Sequence, residues 1–307
     1  MRNIIIIIWY ITHDKEMNNA NSITVRTSFD TVPVNKIIPM SAVDGPGNRT
    51  SIFLQGCNIA CAYCHNPETQ QLCISCGKCV AECPAQALSI KNGKTEWDSA
   101  RCVSCDHCIA VCEHHASPKI RMMTAKQVAE EAEKNIPFIR GITVSGGECM
   151  LHTDFLTELF TLVRSRGLTC LIDSNGTIPF EKNQALLEVT DGVMLDVKSW
   201  EPEVFSHLTG ADLSETVKQN LRFLAERGKL EEVRIVCLEG EVDVPQTIAG
   251  IAAEIPQHLE DFTLKLIRFR PYGVKGRLAG RQSPSTEQMK EWEKMAVNAG
   301  FRKIRIT

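Results

Sequence analysis

Eleven of the fourteen cysteines fall in three tight runs, and their spacing constrains this chain more than any other feature. The first run holds three, at Cys57, Cys61 and Cys64. The other two hold four each, Cys73, Cys76, Cys79, Cys83 and then Cys102, Cys105, Cys108, Cys112. Gaps of two and three residues suit metal ligation better than a disulfide framework, and free thiolates imply a reducing compartment, so cytoplasm is the expected location. A cubane iron–sulfur cluster has four irons, each tied to one thiolate in a soluble electron carrier. Three cysteines leave one iron open to coordinate a small molecule and do chemistry on it. The bland alternative is that Cys57, Cys61 and Cys64 line one face of a buried helix as small hydrophobes.

The two longer runs share the rhythm Cys-x2-Cys-x2-Cys-x3-Cys, and Pro84 follows the first as it does in bacterial ferredoxins. In two-cluster ferredoxins the fourth cysteine of each run serves the other cluster. That pattern pairs Cys73, Cys76 and Cys79 with Cys112, and Cys102, Cys105 and Cys108 with Cys83. Asn92-Gly93 between short apolar stretches suits a hairpin joining the halves. A pair of zinc sites is the alternative, though zinc knots seldom show a doubled three-plus-one rhythm.

At 307 residues with a net charge of −3, the chain can bury a full core and carries no basic footprint for nucleic acid. Ile4 to Ile11 is apolar but far shorter than the ~20 residues of a membrane span, so no membrane partner is expected. The expectation is instead that translation starts at Met17, leaving residues 1–16 outside the protein. Residues 1–35 then form an N-terminal extension.

Past that extension, Ser51–Gly56 reads as a buried strand that delivers Cys57. From Thr124 strands and helices alternate, with Thr124 as an N-cap. Strands are expected near 142–145, 168–173, 192–197, 232–238 and 262–269, with helices at 124–136, 152–165, 180–188, 214–227, 244–254 and 286–298. Such alternation implies a parallel sheet with right-handed crossovers. About six units suggest an incomplete barrel, whose ligands gather at the C-terminal strand ends. The expected fold is α/β, a partial (β/α)6 barrel over residues 36–70 and 119–307, interrupted at 71–118 by a ferredoxin-like insert.

Three motifs fall at those strand ends: Gly146-Gly147-Glu148, Asp173-Ser174-Asn175-Gly176 and Asp196-Val197-Lys198. Each has a plain reading, as a turn or, for Asp196 and Lys198, as a surface ion pair. Cys149, Cys170 and Cys237 read as buried structural thiols.

Taken together, Cys57-x3-Cys61-x2-Cys64 and the ordered motifs resemble the radical S-adenosylmethionine (SAM) superfamily. Asp44-Gly45-Pro46-Gly47, Asp173 to Gly176 and Asp196 to Lys198 further resemble the activating enzymes of glycyl radical enzymes, specifically those carrying a ferredoxin domain. The resemblance implies three [4Fe-4S] clusters and SAM as cofactors. SAM would chelate the open iron, with Tyr63, Cys64, His65 and Asn66 beside it. Gly147 and Glu148 would hold its amino group. Asp173, Ser174, Asp196 and Val197 would position its amino-acid end, aided by a monovalent cation, and Lys198 would contact its carboxylate. No side chain need act as acid or base.

The implied activity is anaerobic: reductive cleavage of SAM to a 5′-deoxyadenosyl radical that abstracts hydrogen from a backbone glycine of a partner enzyme. The implied partners are that glycyl radical enzyme and a flavodoxin or ferredoxin-type reductant. By analogy alone, the insert points to a dehydratase, decarboxylase or lyase partner rather than pyruvate formate-lyase. Gly273 stands where some members carry a SAM-contacting histidine. Two rival readings are a radical SAM enzyme acting on a small molecule or peptide, and a non-catalytic iron–sulfur electron carrier.

Overall fold

The computed structural model describes residues 30–307, so the expected start at Met17 lies outside the described residues. Eleven strands and nine α-helices are described. In chain order they are β1 (Val32–Ser41), β2 (Arg49–Leu54), α1 (Lys78–Ala81), β3 (Leu88–Lys91), β4 (Lys94–Trp97), α2 (His107–Ala110), β5 (Arg121–Met123) and α3 (Ala125–Glu133). There follow β6 (Gly141–Gly146), α4 (Thr153–Arg164), β7 (Thr169–Ser174), α5 (Gln184–Val189), β8 (Gly192–Asp196), α6 (Pro202–Thr209) and α7 (Ser214–Glu226). The chain closes with β9 (Leu230–Cys237), α8 (Val244–Glu254), β10 (Thr263–Arg268), α9 (Thr286–Asn298) and β11 (Ile304–Ile306).

Nine strands form one sheet in the order β11-β10-β9-β8-β7-β6-β2-β1-β5. From β2 to β11 every neighbouring pair is parallel. Only β1, between β2 and β5, is antiparallel to both its neighbours. The fold is thus α/β with a mostly parallel sheet. Strand β1 was not expected, because Pro33 and Pro39 speak against a strand that pairs on both sides. The register shift between Ile38 and Ser41 absorbs Pro39, while Pro33 sits in regular register opposite Met122. Helix α6 was also missed, being short and opened by Pro202. Thr124 caps α3 as expected, in a reciprocal capping box with Gln127.

Period-two alternation divides the sheet into two unlike faces. Ile142, Val144, Cys170, Ile172, Val193, Leu195, Val233, Ile235, Leu264 and Leu266 pack with the helices in the apolar core. The alternate residues carry polarity inward: Arg49 and Ser51 on β2, Thr143 and Ser145 on β6, Asp173 on β7, Asp196 on β8, Glu232 and Arg234 on β9, Lys265 on β10.

The segment Asp44-Gly45-Pro46-Gly47 folds in against this polar face. At Gly45 (φ +111°) an added Cβ would stand 2.8 Å from Leu171 and 3.2 Å from Arg49, so only glycine fits. Asp44 accepts hydrogen bonds from Ser41 Oγ (2.6 Å) and Ser51 Oγ (2.8 Å), while its carbonyl accepts from Thr143 Oγ1 (2.6 Å).

Arg49 ties three strands together. Its guanidinium donates to Thr143 Oγ1 (2.9 Å), the Ile142 carbonyl (2.6 Å) and the Thr169 carbonyl (3.0 Å). Burial pulls its pKa down to about 10. Arg49→Met would strand those acceptors in the interior, so we expect a loss of about 2–4 kcal/mol, read as a lower unfolding midpoint in urea.

Candidate functional site

The site lies where the sheet delivers six strand ends. Strand β2 runs into Gly56 (φ +103°), whose N–H donates to the Thr69 carbonyl (2.8 Å), while Cys57 N–H donates to that of Gln70 (2.9 Å). These bonds fold the cysteine loop back on itself. Cys57, Cys61 and Cys64 then line one wall of a cavity of about 220 Å³, together with Tyr63, His65 and Asn66. Ser145, Gly146 and Gly147 line it from β6, Asp173, Ser174 and Asn175 from β7, Asp196 and Lys198 from β8, and Arg234 from β9.

The far wall is charged. Lys198 Nζ meets Asp196 Oδ2 at 2.6 Å, and both are largely buried rather than forming the surface pair that the plain reading offered. Burial works against the Lys198 charge, yet Asp196 holds its ammonium well above the ordinary lysine value. Arg234 bridges Asp173 (2.8 Å) and Glu232 (2.8 Å). Burial pushes the Asp173 carboxyl up, against the pull of Arg234 and a hydrogen bond from Ser145 Oγ (3.0 Å). Arg234 is not among the expected site residues. Its signal is the inward alternation Glu232-x-Arg234-x-Val236 on β9.

Two expected cofactor-binding residues lie outside the cavity lining. Glu148 is buried behind the cavity wall and accepts from Met150 N–H (3.0 Å), Ser174 Oγ (2.9 Å) and Asn175 N–H (2.8 Å). Its carboxylate latches the β6 and β7 loops together. Burial raises its pKa to about 7, opposed by those donated bonds. Val197 is likewise buried, its N–H donating to the Arg234 carbonyl (2.9 Å).

The glycines that line the cavity also bring two backbones together. A Cβ on Gly147 would stand 2.0 Å from the Gly56 carbonyl oxygen, and one on Gly146 2.2 Å from that of Leu54. They let the β6 loop close on the cysteine loop, backbone against backbone. Gly273 (φ +82°) repeats the device, its absent Cβ leaving room for the His65 carbonyl 2.6 Å away.

The donor set fits a buried cluster. Burial pushes the Cys57 thiol up to about 11 and that of Cys61 up to about 12, so neither ionises alone near neutral pH. Iron ligation removes that proton outright. Tyr63 Oη, buried over Lys198, has no hydrogen-bond partner among the described residues. Cys149, Cys170 and Cys237 are buried, as expected of structural thiols.

In the 71–118 segment two smaller cavities are lined by cysteines. One carries Cys73, Cys76, Cys79 and Cys112, the other Cys83, Cys102, Cys105 and Cys108. The backbone repeats too: Ser75 and Gly77 in the first run, and Ser104 and Asp106 in the second, all have positive φ. Asn92 and Gly93 form the β3–β4 turn, both with positive φ. Gln71 and Ala116 pair as a parallel bridge, bringing the segment's two ends side by side. Among the described residues no group of three or more His, Cys, Asp or Glu is placed to hold a single metal ion. A cubane needs no such group, since each thiolate takes a different iron.

The fold and the cysteine loop define a class, and a model of the radical SAM superfamily matches residues 51–249. A Haemophilus influenzae protein whose name assigns it to the glycyl-radical enzyme activating enzymes is 33% identical over 295 residues, covering 89% of this chain and 95% of its own. The benzylsuccinate synthase activating enzyme of Thauera aromatica is 31% identical over 265 residues, covering 78% and 79%. The chain belongs to the radical SAM superfamily and, within it, to the glycyl-radical enzyme activating enzymes. Streptococcus suis SuiB, solved with its precursor peptide SuiA, shares the fold at 10% identity, with a TM-score of 0.51 over 82% of this chain and 47% of that one.

Glu148→Gln would set an amide donor against groups that already donate. We expect a loss of about 1–3 kcal/mol, read as a lower melting temperature. An unchanged melting temperature with lost SAM binding would return Glu148 to the ligand.

Proposed function

We propose that this chain activates a partner glycyl radical enzyme, and that Cys57, Cys61 and Cys64, which line the central cavity, would hold a [4Fe-4S] cluster with one iron left without a thiolate. When bound, the reduced cluster supplies one electron to the sulfonium of SAM, whose cleavage yields methionine and the 5′-deoxyadenosyl radical that takes hydrogen from a backbone glycine of the partner.

The observation that carries this reading is the pairing of two walls: three thiols on one loop, and Lys198, Asp196, Asp173 and Ser174 on the strand ends opposite. The buried Lys198 ammonium suits the SAM carboxylate, and the carboxylates of Asp173 and Asp196 suit its ammonium, with a monovalent cation sharing that charge. Tyr63 lines the cavity beside Lys198, and its ring suits the adenine. Arg234 fixes Asp173 so that the acid does not have to be ordered on binding. A neighbouring groove of about 380 Å³, lined by Val43, Arg270 and Tyr272, shares His65 and Asn66 with the cavity. It suits an extended backbone loop delivered by a protein partner. No helix among the described residues is long and apolar enough to cross a membrane.

The reading also takes residues 71–118 as a ferredoxin-like insert in a partial (β/α)6 barrel, with a [4Fe-4S] cluster in each of its cysteine nests. What supports it is the grouping of three cysteines from one run with the last of the other. Positive φ in non-glycine residues is costly, and its recurrence at matching points of both runs suits loops wrapped around bound groups. The reductant is then a low-potential protein such as a flavodoxin or ferredoxin, and the setting cytoplasmic and anaerobic.

The test is 5′-deoxyadenosine formed from SAM by the reconstituted, dithionite-reduced protein. The Cys57→Ala/Cys61→Ala/Cys64→Ala variant should make none while keeping its insert iron; product from that variant would sink the assignment. Cys79→Ala/Cys112→Ala should lower the iron from roughly twelve to about eight per chain, at four per cubane. Zinc in place of iron would overturn the insert reading.

A further inference from the structure

We propose that Lys275 clamps the insert to the barrel and makes the Cys73–Cys76–Cys79–Cys112 nest the inner of two stations through which electrons reach the SAM site. The inference rests on the three-cluster reading above and adds an order and a positioning residue to it.

The order comes from shared walls. Gln70, whose carbonyl receives the Cys57 N–H, lines the central cavity and also a surface cleft of about 400 Å³. That cleft joins Ala60 of the cysteine loop to Ile74, Glu113 and His114 of the insert. The same three insert residues line the nest of Cys73, Cys76, Cys79 and Cys112. The nest of Cys83, Cys102, Cys105 and Cys108 shares no residue with the cleft or the central cavity. Exposure does not separate the two, since Cys105 beside Val103 (65%) is matched by Cys76 beside Ile74 (63%); a protein donor can reach the outer nest, and the order rests on the shared walls.

The clamp lies between them. Lys275 Nζ, on the loop after β10, donates to the Ile109 carbonyl (2.9 Å) and to that of Cys112 (3.0 Å), itself a nest residue. The same loop grips the SAM site: the Arg270 carbonyl accepts from His65 Nε2 at 3.0 Å, and Gly273 lies against the His65 backbone, next to Cys64. One loop thus contacts both the inner nest, at Cys112, and the cysteine loop of the SAM site, at His65. A cation on a ligand's carbonyl also favours the added electron, because it offsets the negative charge that reduction brings.

In the transfer, a donor of the flavodoxin or ferredoxin class is oxidised by one electron. The electron passes through the outer and then the inner nest and is consumed in breaking the SAM C–S bond; no proton moves.

The experiment uses the reconstituted full chain with reduced flavodoxin or with dithionite. Reduction at the SAM site is followed by freeze-quench EPR, and insert potentials by EPR titration. K275M should slow flavodoxin-driven reduction by about tenfold, the usual scale for a group acting through a ligand. It should also lower one insert potential, leave the dithionite rate intact, and be rescued by K275R. An unmoved potential or an unmoved flavodoxin rate overturns the proposal. Should K275M lose iron, Cys102→Ala/Cys105→Ala removes the outer nest alone; it should lose flavodoxin-driven and keep dithionite-driven reduction, and keeping both overturns the order. Failure of wild-type protein to cleave SAM with dithionite would instead sink the function itself.

Discussion

Arg234 is the charge on which the site depends. It stands on the inner face of β9, bound to Glu232 on its own strand and to Asp173 across β8 on β7. Both carboxylates and the guanidinium are withdrawn from water, where each alone would be costly and where removing one leaves its partners uncompensated. Asp196 and Lys198 form the next pair along the same face, and Lys265 approaches Glu232 from β10 (3.6 Å). The interior of this sheet is therefore held by ion pairs on one face and by apolar packing against helices on the other. That division leaves a polar wall in place before any ligand arrives, so little ordering remains to oppose binding.

Against this wall the cysteine loop is brought in by backbone contact. Gly146 and Gly147 approach Leu54 and Gly56 more closely than any Cβ permits, and Glu148 then ties the β6 loop to Ser174 and Asn175. The glycine-rich segment resembled a ligand cradle because glycine signals close approach without saying by what. Here the end of β2 approaches them, and both glycines line the cavity as well. Glu148 followed the same logic: a carboxylate at a strand end suggests an exposed ligand contact, but three converging donors made it an internal latch.

Much of the fold was legible. Helices α8 and α9 fall at the residues where periodicity put them, and the parallel order follows from strand–helix alternation. Strand β1 was hidden by its prolines, since its pairing with β2 and β5, and the irregularity opposite β2 that takes up Pro39, are set by those strands rather than by local sequence. Arg49 and Arg234 were hidden for a related reason. An isolated arginine in a strand reads as exposed, and only its neighbours' carbonyls and carboxylates explain its burial.

The sequence by itself determined the grouping of the cysteines into three runs, because spacing is a local property of a few residues. It also determined the order of the strand-end motifs, which lie wherever each strand stops. The tertiary structure decided which of those residues face the cavity, because facing depends on what packs behind. It turned Glu148 and Val197 inward, kept Asp173, Asp196 and Lys198 on the wall, and ran the loop from Arg270 to Lys275 between His65 and Cys112. Contacts between residues so far apart in the chain are fixed by the packing of whole elements, which no local spacing encodes.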